Sequence, residues 1–119
     1  MSTAAIRGAI TVEKNSAFEI EKAAVVLLEH IIQKNNLQRN NIAFLFFTCT
    51  RDLDSQYPAA GIRHAGYTEI PMMCVAEMPV KDSLERCIRI LVVVNADGNQ
   101  EVRHVYLEGA KKLRPDLSD

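Results

Sequence analysis

Residues 87–94 read CIRILVVV, and every position except Cys87 and Arg89 is Ile, Leu or Val. No turn residue interrupts the run, so it reads as an interior strand reaching about residue 95. Burying an unpaired guanidinium there would be expensive. Just upstream, MMCVAEM (residues 72–78) sets Glu77 beside another apolar run. The chain thus carries an Arg and a Glu on two otherwise apolar segments.

Working outward, AAIRGAITVE (residues 4–13) alternates Ile6, Ile10 and Val12 on one face, with Gly8 interrupting. A glycine inside a strand implies a bulge or a close approach of backbone. Ser16 and Glu19 then fit the S-x-x-E capping box that satisfies two free N–H groups at a helix start. Ile20, Ala24, Leu27, Leu28, Ile31 and Ile32 follow at helical spacing, and Asn35-Asn36 ends the helix. IAFLFFT (residues 42–48) is continuously apolar, as expected of a strand covered on both faces. In YPAAGIRHAGY, Pro58 suits a first helical turn and Gly66 a stop, which predicts a short helix over residues 58–65.

EIPMMCVAEM reads as a strand with Pro71 near its start, and residues 80–86 as a helical turn or a loop. Asp97-Gly98 carries a hairpin signal leading into an alternating strand, EVRHVYLE (residues 101–108). The order is strand, long helix, strand, short helix, then three strands with short connections. It predicts an α+β domain: one mixed sheet packed with one long and one short helix.

At 119 residues the chain is one domain, residues 1–119, able to bury a core without staples. A net charge of −1 gives no general attraction to nucleic acid or to an anionic membrane. No segment approaches the roughly 20 apolar residues of a spanning helix. Cys49, Cys74 and Cys87 are odd in number and lack a CxxC pair, and His30, His64 and His104 lie far apart. Neither a disulfide framework nor a metal site is expected. Reduced thiols and an N-terminus without a signal-peptide pattern point to the cytoplasm.

Arg7, Arg63, Cys74, Glu77, Arg89, Tyr106 and Arg114 look out of place as a set, although each alone has an ordinary explanation. IRGAITVE, YPAAGIR, CVAEM, CIRILV, RHVYLEGA and LRPDLS occur in that order over nearly the whole chain. The pattern resembles the monofunctional, trimeric α/β class of chorismate mutase, distinct from the all-helical class. The resemblance implies a pseudo-α/β-barrel homotrimer with active sites at subunit interfaces. It also implies rearrangement of chorismate to prephenate, on the route to phenylalanine and tyrosine, without a cofactor. That reaction is unimolecular and pericyclic, so a protein contributes orientation and fixed charge.

The resemblance also implies roles. Arg89 matches the donor to the ether oxygen and one carboxylate. Glu77 matches the carboxylate that steadies that Arg, accepts from the ring hydroxyl and faces developing positive charge. Arg7 and Tyr106 match carboxylate-holding groups, and Cys74 a residue near the ring hydroxyl. Arg63 matches a basic group at the mouth, and Arg114 a mobile tail (residues 111–119) that closes over substrate. Tyr57, Ala59, Met72, Met73 and Leu113 match pocket walls. Ala60 stands where family members carry Lys, Tyr57 where they carry Phe, and Met72-Met73 where they carry smaller residues. The alternatives are a non-catalytic trimeric binder of a carboxylate metabolite, from which Glu77 would separate the enzyme, and, third, a small trimeric imine deaminase.

Overall fold

The run at residues 87–94 forms β4 (Cys87–Ala96), the middle strand of five in the computed structural model, which describes residues 2–96 and 101–116. The others are β1 (Ser2–Thr11), β2 (Ile42–Cys49), β3 (Met72–Ala76) and β5 (Val105–Leu107), and the sheet order is β3-β2-β4-β1-β5. β4 pairs antiparallel with both β1 and β2, whereas β5 runs parallel to β1 and β3 parallel to β2. The sheet is therefore mixed. α1 (Ala17–Lys34) and α2 (Pro58–His64) complete the fold, with short 3-10 turns at Arg39–Asn41 and Glu108–Lys112.

Side chains alternate across β4, and each set has its own fate. Ile88, Ile90, Val92 and Val94 are buried in the main core with Ile6, Ile10, Leu45, Phe47 and the apolar face of α1. Each such side chain contributes roughly 1.5–3 kcal/mol of burial. Cys87, Arg89, Leu91 and Val93 point to the opposite face. No helix packs on that face among the described residues. Phe44, Met73 and Val75 remain 40%, 63% and 39% exposed there. The expectation that β2 is covered on both faces therefore fails within one copy of the chain: Leu45 and Phe47 are covered, while Phe44 and Phe46 are not.

Ser16 caps α1, its hydroxyl accepting the Glu19 N–H at 3.2 Å. Only that half of the expected box forms, because the Ser16 N–H donates to the Lys14 carbonyl instead. Gly8 marks close approach rather than a bulge: the β1–β4 register runs unbroken, and a Cβ at Gly8 would meet Ile31 Cδ1 at 2.7 Å. α2 begins at Pro58, and Gly66, with φ of 102°, follows its end as a residue in the left-handed region. Glu21 on α1 binds it from below, its carboxylate reaching His64 Nδ1 at 2.6 Å and accepting from Gln56 Nε2 at 3.1 Å.

The C-terminal part departs most from expectation. The strand predicted over residues 101–108 is only three residues long, and it lies beside β1 rather than β4. With β1 between them, β4 and β5 do not form a hairpin; the Asp97-Gly98 signal falls outside the described residues. Asn35, buried at the end of α1, secures this segment. Its side-chain amide donates to the Ile31 and Arg103 carbonyls at 3.0 and 2.8 Å, and its oxygen accepts the Arg103 N–H at 2.7 Å.

A Cβ at Gly61 would lie 2.6 Å from the Glu21 carbonyl and 2.7 Å from its Cα, so α2 sits against backbone that cannot give way. Gly61→Ala is expected to destabilise the protein by about 1–3 kcal/mol. Gly8→Ala, which meets only the ends of flexible side chains, should cost less. Urea unfolding of both variants at one protein concentration checks the order, and equal midpoints would contradict it.

Candidate active site

The open face carries most of the charged residues that the sequence singled out, Arg63 excepted. Registers align Thr48 of β2 with Arg89 of β4, Arg89 with Ala9 of β1, and Ala9 with Tyr106 of β5. Arg89 thus stands at the centre of a row crossing four strands, and the small side chain of Ala9 leaves room beside it. Arg7 is one strand step away on the same face, opposite Leu91. That makes it a diagonal neighbour of Arg89, with backbones roughly 7–8 Å apart.

Glu77 directly follows β3, and its N–H bonds the Cys49 carbonyl at 2.9 Å. Its carboxylate reaches inward over the sheet, with Oε1 3.3 Å from Arg89 Nε. The Thr48 hydroxyl donates to the same oxygen at 2.6 Å. The Arg89 side chain keeps 47% of its surface exposed and the Glu77 side chain 22%. The apolar strand can hold an Arg because this residue faces the uncovered side and has a carboxylate partner.

The start of β4 is clamped from the loop after β2. Asp52 accepts the Arg86 N–H through both carboxylate oxygens at 2.9 and 3.1 Å. Thr50 accepts the Cys87 N–H at 2.9 Å and donates to Asp52 at 2.5 Å. Arg86 itself has φ of 46°, a conformation that side chains other than Gly seldom adopt. This clamp fixes the chain three residues before Arg89.

On the β5 side, Tyr106, Ala9, Cys87 and Ala110 form a second, smaller core, with Leu84 and Leu113 packed on it. The 3-10 turn Glu108–Lys112 folds over this end of the open face, and the Gly109 N–H donates to Thr11 Oγ1 at 2.8 Å. The fold thereby carries Tyr106, Leu113 and Arg114 to the Arg7 side. Asp116 grips Arg114 with bonds of 3.2 and 2.9 Å and keeps it firmly protonated. His104 accepts the Arg7 backbone N–H at Nδ1, at 2.9 Å, so its proton sits on Nε2.

The remaining candidates gather elsewhere. Tyr57, 66% exposed, precedes α2; Ala59 is buried within that helix, and Arg63 projects from its last turn. Met72 and Cys74 pack against the main core, whereas Met73 lies on the open face. Cys74 and Tyr57 line a cleft of about 500 Å³ between β3 and the loop at residues 49–58. The structure thus brings Arg89, Glu77, Arg7, Tyr106, Leu113 and Arg114 to one face. It sets Tyr57, Ala59, Arg63, Met72, Met73 and Cys74 at the β3 edge.

Burial pushes the Cys49 thiol up to about 12 and the Cys87 thiol up to about 11. Both stay protonated at neutral pH and supply no thiolate nucleophile. What the site offers is a cluster of fixed positive charges, with the Glu77 carboxylate against Arg89 and that of Asp116 against Arg114. Thr48 and His104 were not singled out in the sequence. Only the strand register, which sequence periodicity leaves open, sets Thr48 opposite Arg89 and His104 beside Arg7.

An ion pair set among arginines, with no thiolate beside it among the described residues, has the chemistry to hold an anionic small molecule. The profile of the family described as "Chorismate mutase type I" matches residues 3–117, and the chain belongs to that family, the AroH-type, non-helical chorismate mutases. It is similar to chorismate mutase AroH of Thermus thermophilus, 44% identical over 114 residues, covering 94% of this chain and 93% of the relative. It is also similar to chorismate mutase AroH of Bacillus subtilis (strain 168), 40% identical over 115 residues, covering 95% and 91%. The solved chorismate mutase from Clostridium thermocellum superimposes with a TM-score of 0.88 at 44% identity, over 92% of this chain and 98% of that one.

The His104 imidazole is pushed below its ordinary 6.5, first by burial, then by the charges of Arg7 and Arg114. Between that lowered value and about 6.5 the unfolded chain binds more protons than the folded one. The stabilisation is full above about 6.5 and is lost as pH falls through that window. Titration of the imidazole by NMR is expected to give a midpoint below 6.5, and the stability lead over His104→Asn should shrink on acidification. A midpoint at or above 6.5 would contradict this.

Proposed function

We propose that the open face around Arg89 and Glu77 is where this chain binds chorismate and rearranges it to prephenate, in aromatic amino acid biosynthesis. The observation that carries the assignment is the Arg89–Glu77 pair at 3.3 Å, with the Arg89 side chain half-exposed at the centre of a sheet face that also carries Arg7. As the ether C–O bond breaks and the new C–C bond forms, negative charge grows on the ether oxygen and positive charge on the ring. Arg89 turns its Nε toward Glu77 at 3.3 Å, and its terminal guanidinium N–H groups donate to the ether oxygen and a substrate carboxylate. Glu77 accepts the ring hydroxyl and lies near the positive charge. Arg7 and Tyr106 hold carboxylate, and the segment at residues 111–116 closes over the ligand with Arg114; the rest of the expected tail lies outside the described residues. Bound in one reactive conformer, the substrate needs no further chemical group.

The second cluster, at the β3 edge, belongs to the same function through another copy of the chain. β3 lies two strand steps, roughly 10 Å, from Arg89 on β4 and four steps, roughly 19 Å, from Tyr106 on β5, at about 4.8 Å per step. On this reading the Tyr57, Arg63 and Met73 cluster of one copy, set apart from the Arg7, Tyr106 and Arg114 end of the face, serves the Arg89 site of its neighbour in a homotrimer. Phe44, Phe46, Met73, Val75 and Leu91 on the open face then find the cover that one copy lacks. Ala59, Met72 and Cys74 support that edge from within. A cytoplasmic location fits the three free thiols.

The first test is the ultraviolet absorbance of chorismate during incubation with the protein, with prephenate identified by acid conversion to phenylpyruvate. Arg89→Ala should lose at least roughly 3 kcal/mol of transition-state stabilisation, and near-normal turnover would remove its assigned role. Arg114→Ala should mainly raise KM; a fall in kcat as deep as that of Arg89→Ala, with KM unchanged, would refute the lid assignment. For the shared site, the native mass should be three times that of the chain. Co-refolding Arg89→Ala with Arg63→Glu should restore more activity than either variant has alone. A monomeric, fully active protein would overturn the shared site.

A further inference from the structure

We propose that Thr48 is a positioning residue for the rearrangement, acting through Glu77. The inference rests on the reading of Glu77 given above and deepens it. Thr48 sits on β2 directly opposite Arg89, half-buried on the open face. An ionised carboxylate only accepts hydrogen bonds, so the hydroxyl must donate to Glu77 Oε1 across their 2.6 Å separation. Arg89 Nε approaches that same oxygen at 3.3 Å.

Glu77 needs such a partner because of where it lies in the chain. β3 ends at Ala76, and residues 77–86 belong to no strand. One backbone bond, to the Cys49 carbonyl, anchors the stem of Glu77, and the sheet ladder does nothing more to direct the carboxylate. Left to Arg89 alone, the carboxylate would favour a two-pronged pairing with the guanidinium, which is the strongest geometry open to those groups. That pairing would consume both carboxylate oxygens and terminal N–H groups that the ligand needs. Thr48 fixes Oε1 at one point, where Arg89 meets it through Nε. No hydrogen bond reaches Oε2 among the described residues, so that oxygen is left to face the ligand. Thr48 thus sets the division of labour between the two charged groups, and it does so from a rigid strand.

The test is a double-mutant cycle on chorismate turnover, using Thr48→Val, Thr48→Ser and Glu77→Ala. Val keeps the shape and the strand preference but removes the donor, whereas Ser keeps the donor. Thr48→Val is expected to lower kcat roughly tenfold or more with a smaller change in KM, and Thr48→Ser to stay within about threefold of the parent. In the Glu77→Ala background, Thr48→Val should have no further effect, because the group it positions is gone. Equal losses from Thr48→Val in both backgrounds, or near-normal kcat for Thr48→Val beside a crippled Glu77→Ala, would overturn the role of Thr48 and leave that of Glu77 standing. Near-normal turnover by Glu77→Ala would instead remove the function of Glu77, and this inference with it. Urea midpoints for each variant separate loss of fold from loss of positioning.

Discussion

A guanidinium cannot be packed into the dry middle of a sheet without a partner and some access to water, and the architecture follows from that constraint. Arg89 occupies the central strand, and among the described residues the side of the sheet it faces carries no α-helix, while α1 and α2 pack on the other side. Glu77 reaches in from the end of β3 to pair with it, and Thr48 closes the group from the neighbouring strand. The main core accordingly forms between one sheet face and α1. A second, smaller core around Ala9 and Tyr106 forms only where the C-terminal 3-10 turn folds back over the opposite face.

Much of this was legible in the sequence because it depended on local pattern. The apolar spacing from Ile20 to Ile31 gave the long helix, and Pro58 with Gly66 bracketed the short one. The runs at residues 42–48 and 87–94 gave the two central strands. What was not legible depended on pairing. Residues 101–108 alternate as a strand should, yet only the three that find β1 as a neighbour join the sheet. The hairpin signal at Asp97-Gly98 could not reveal that β1 lies between the flanking strands. The Ser16–Glu19 spacing allowed a full capping box, but Lys14 offered the Ser16 N–H a nearer acceptor. Arg89 and Glu77 were visible as anomalies, and the family resemblance set them together; the local pattern alone gave no distance between them.

The departures from the family pattern now have places. Ala60 is buried in α2, so where the resemblance implies a Lys this helix carries a small apolar side chain. Tyr57 and Met73 are largely exposed in one copy and stand at the β3 edge, where the proposed neighbour would sit. On the proposed roles, these positions belong to the walls of the site and stand apart from the Arg89–Glu77 pair.

The pairing of β5 has a further consequence, for the energy of partial opening. β4 is tied along its length to β1 and β2, so Arg89 can come free only at nearly the full cost of unfolding. β5 holds three residues on one edge, secured at its start by Asn35, and the chain that bears Tyr106, Leu113 and Arg114 can detach at far smaller cost. On the proposed roles, the group that acts on the breaking bond rests on the least yielding part of the molecule, and the groups that admit the ligand rest on the most yielding. Observed affinity is then scaled by the fraction of molecules with that edge docked, so substitutions around Asn35 would tune capture without touching the substrate.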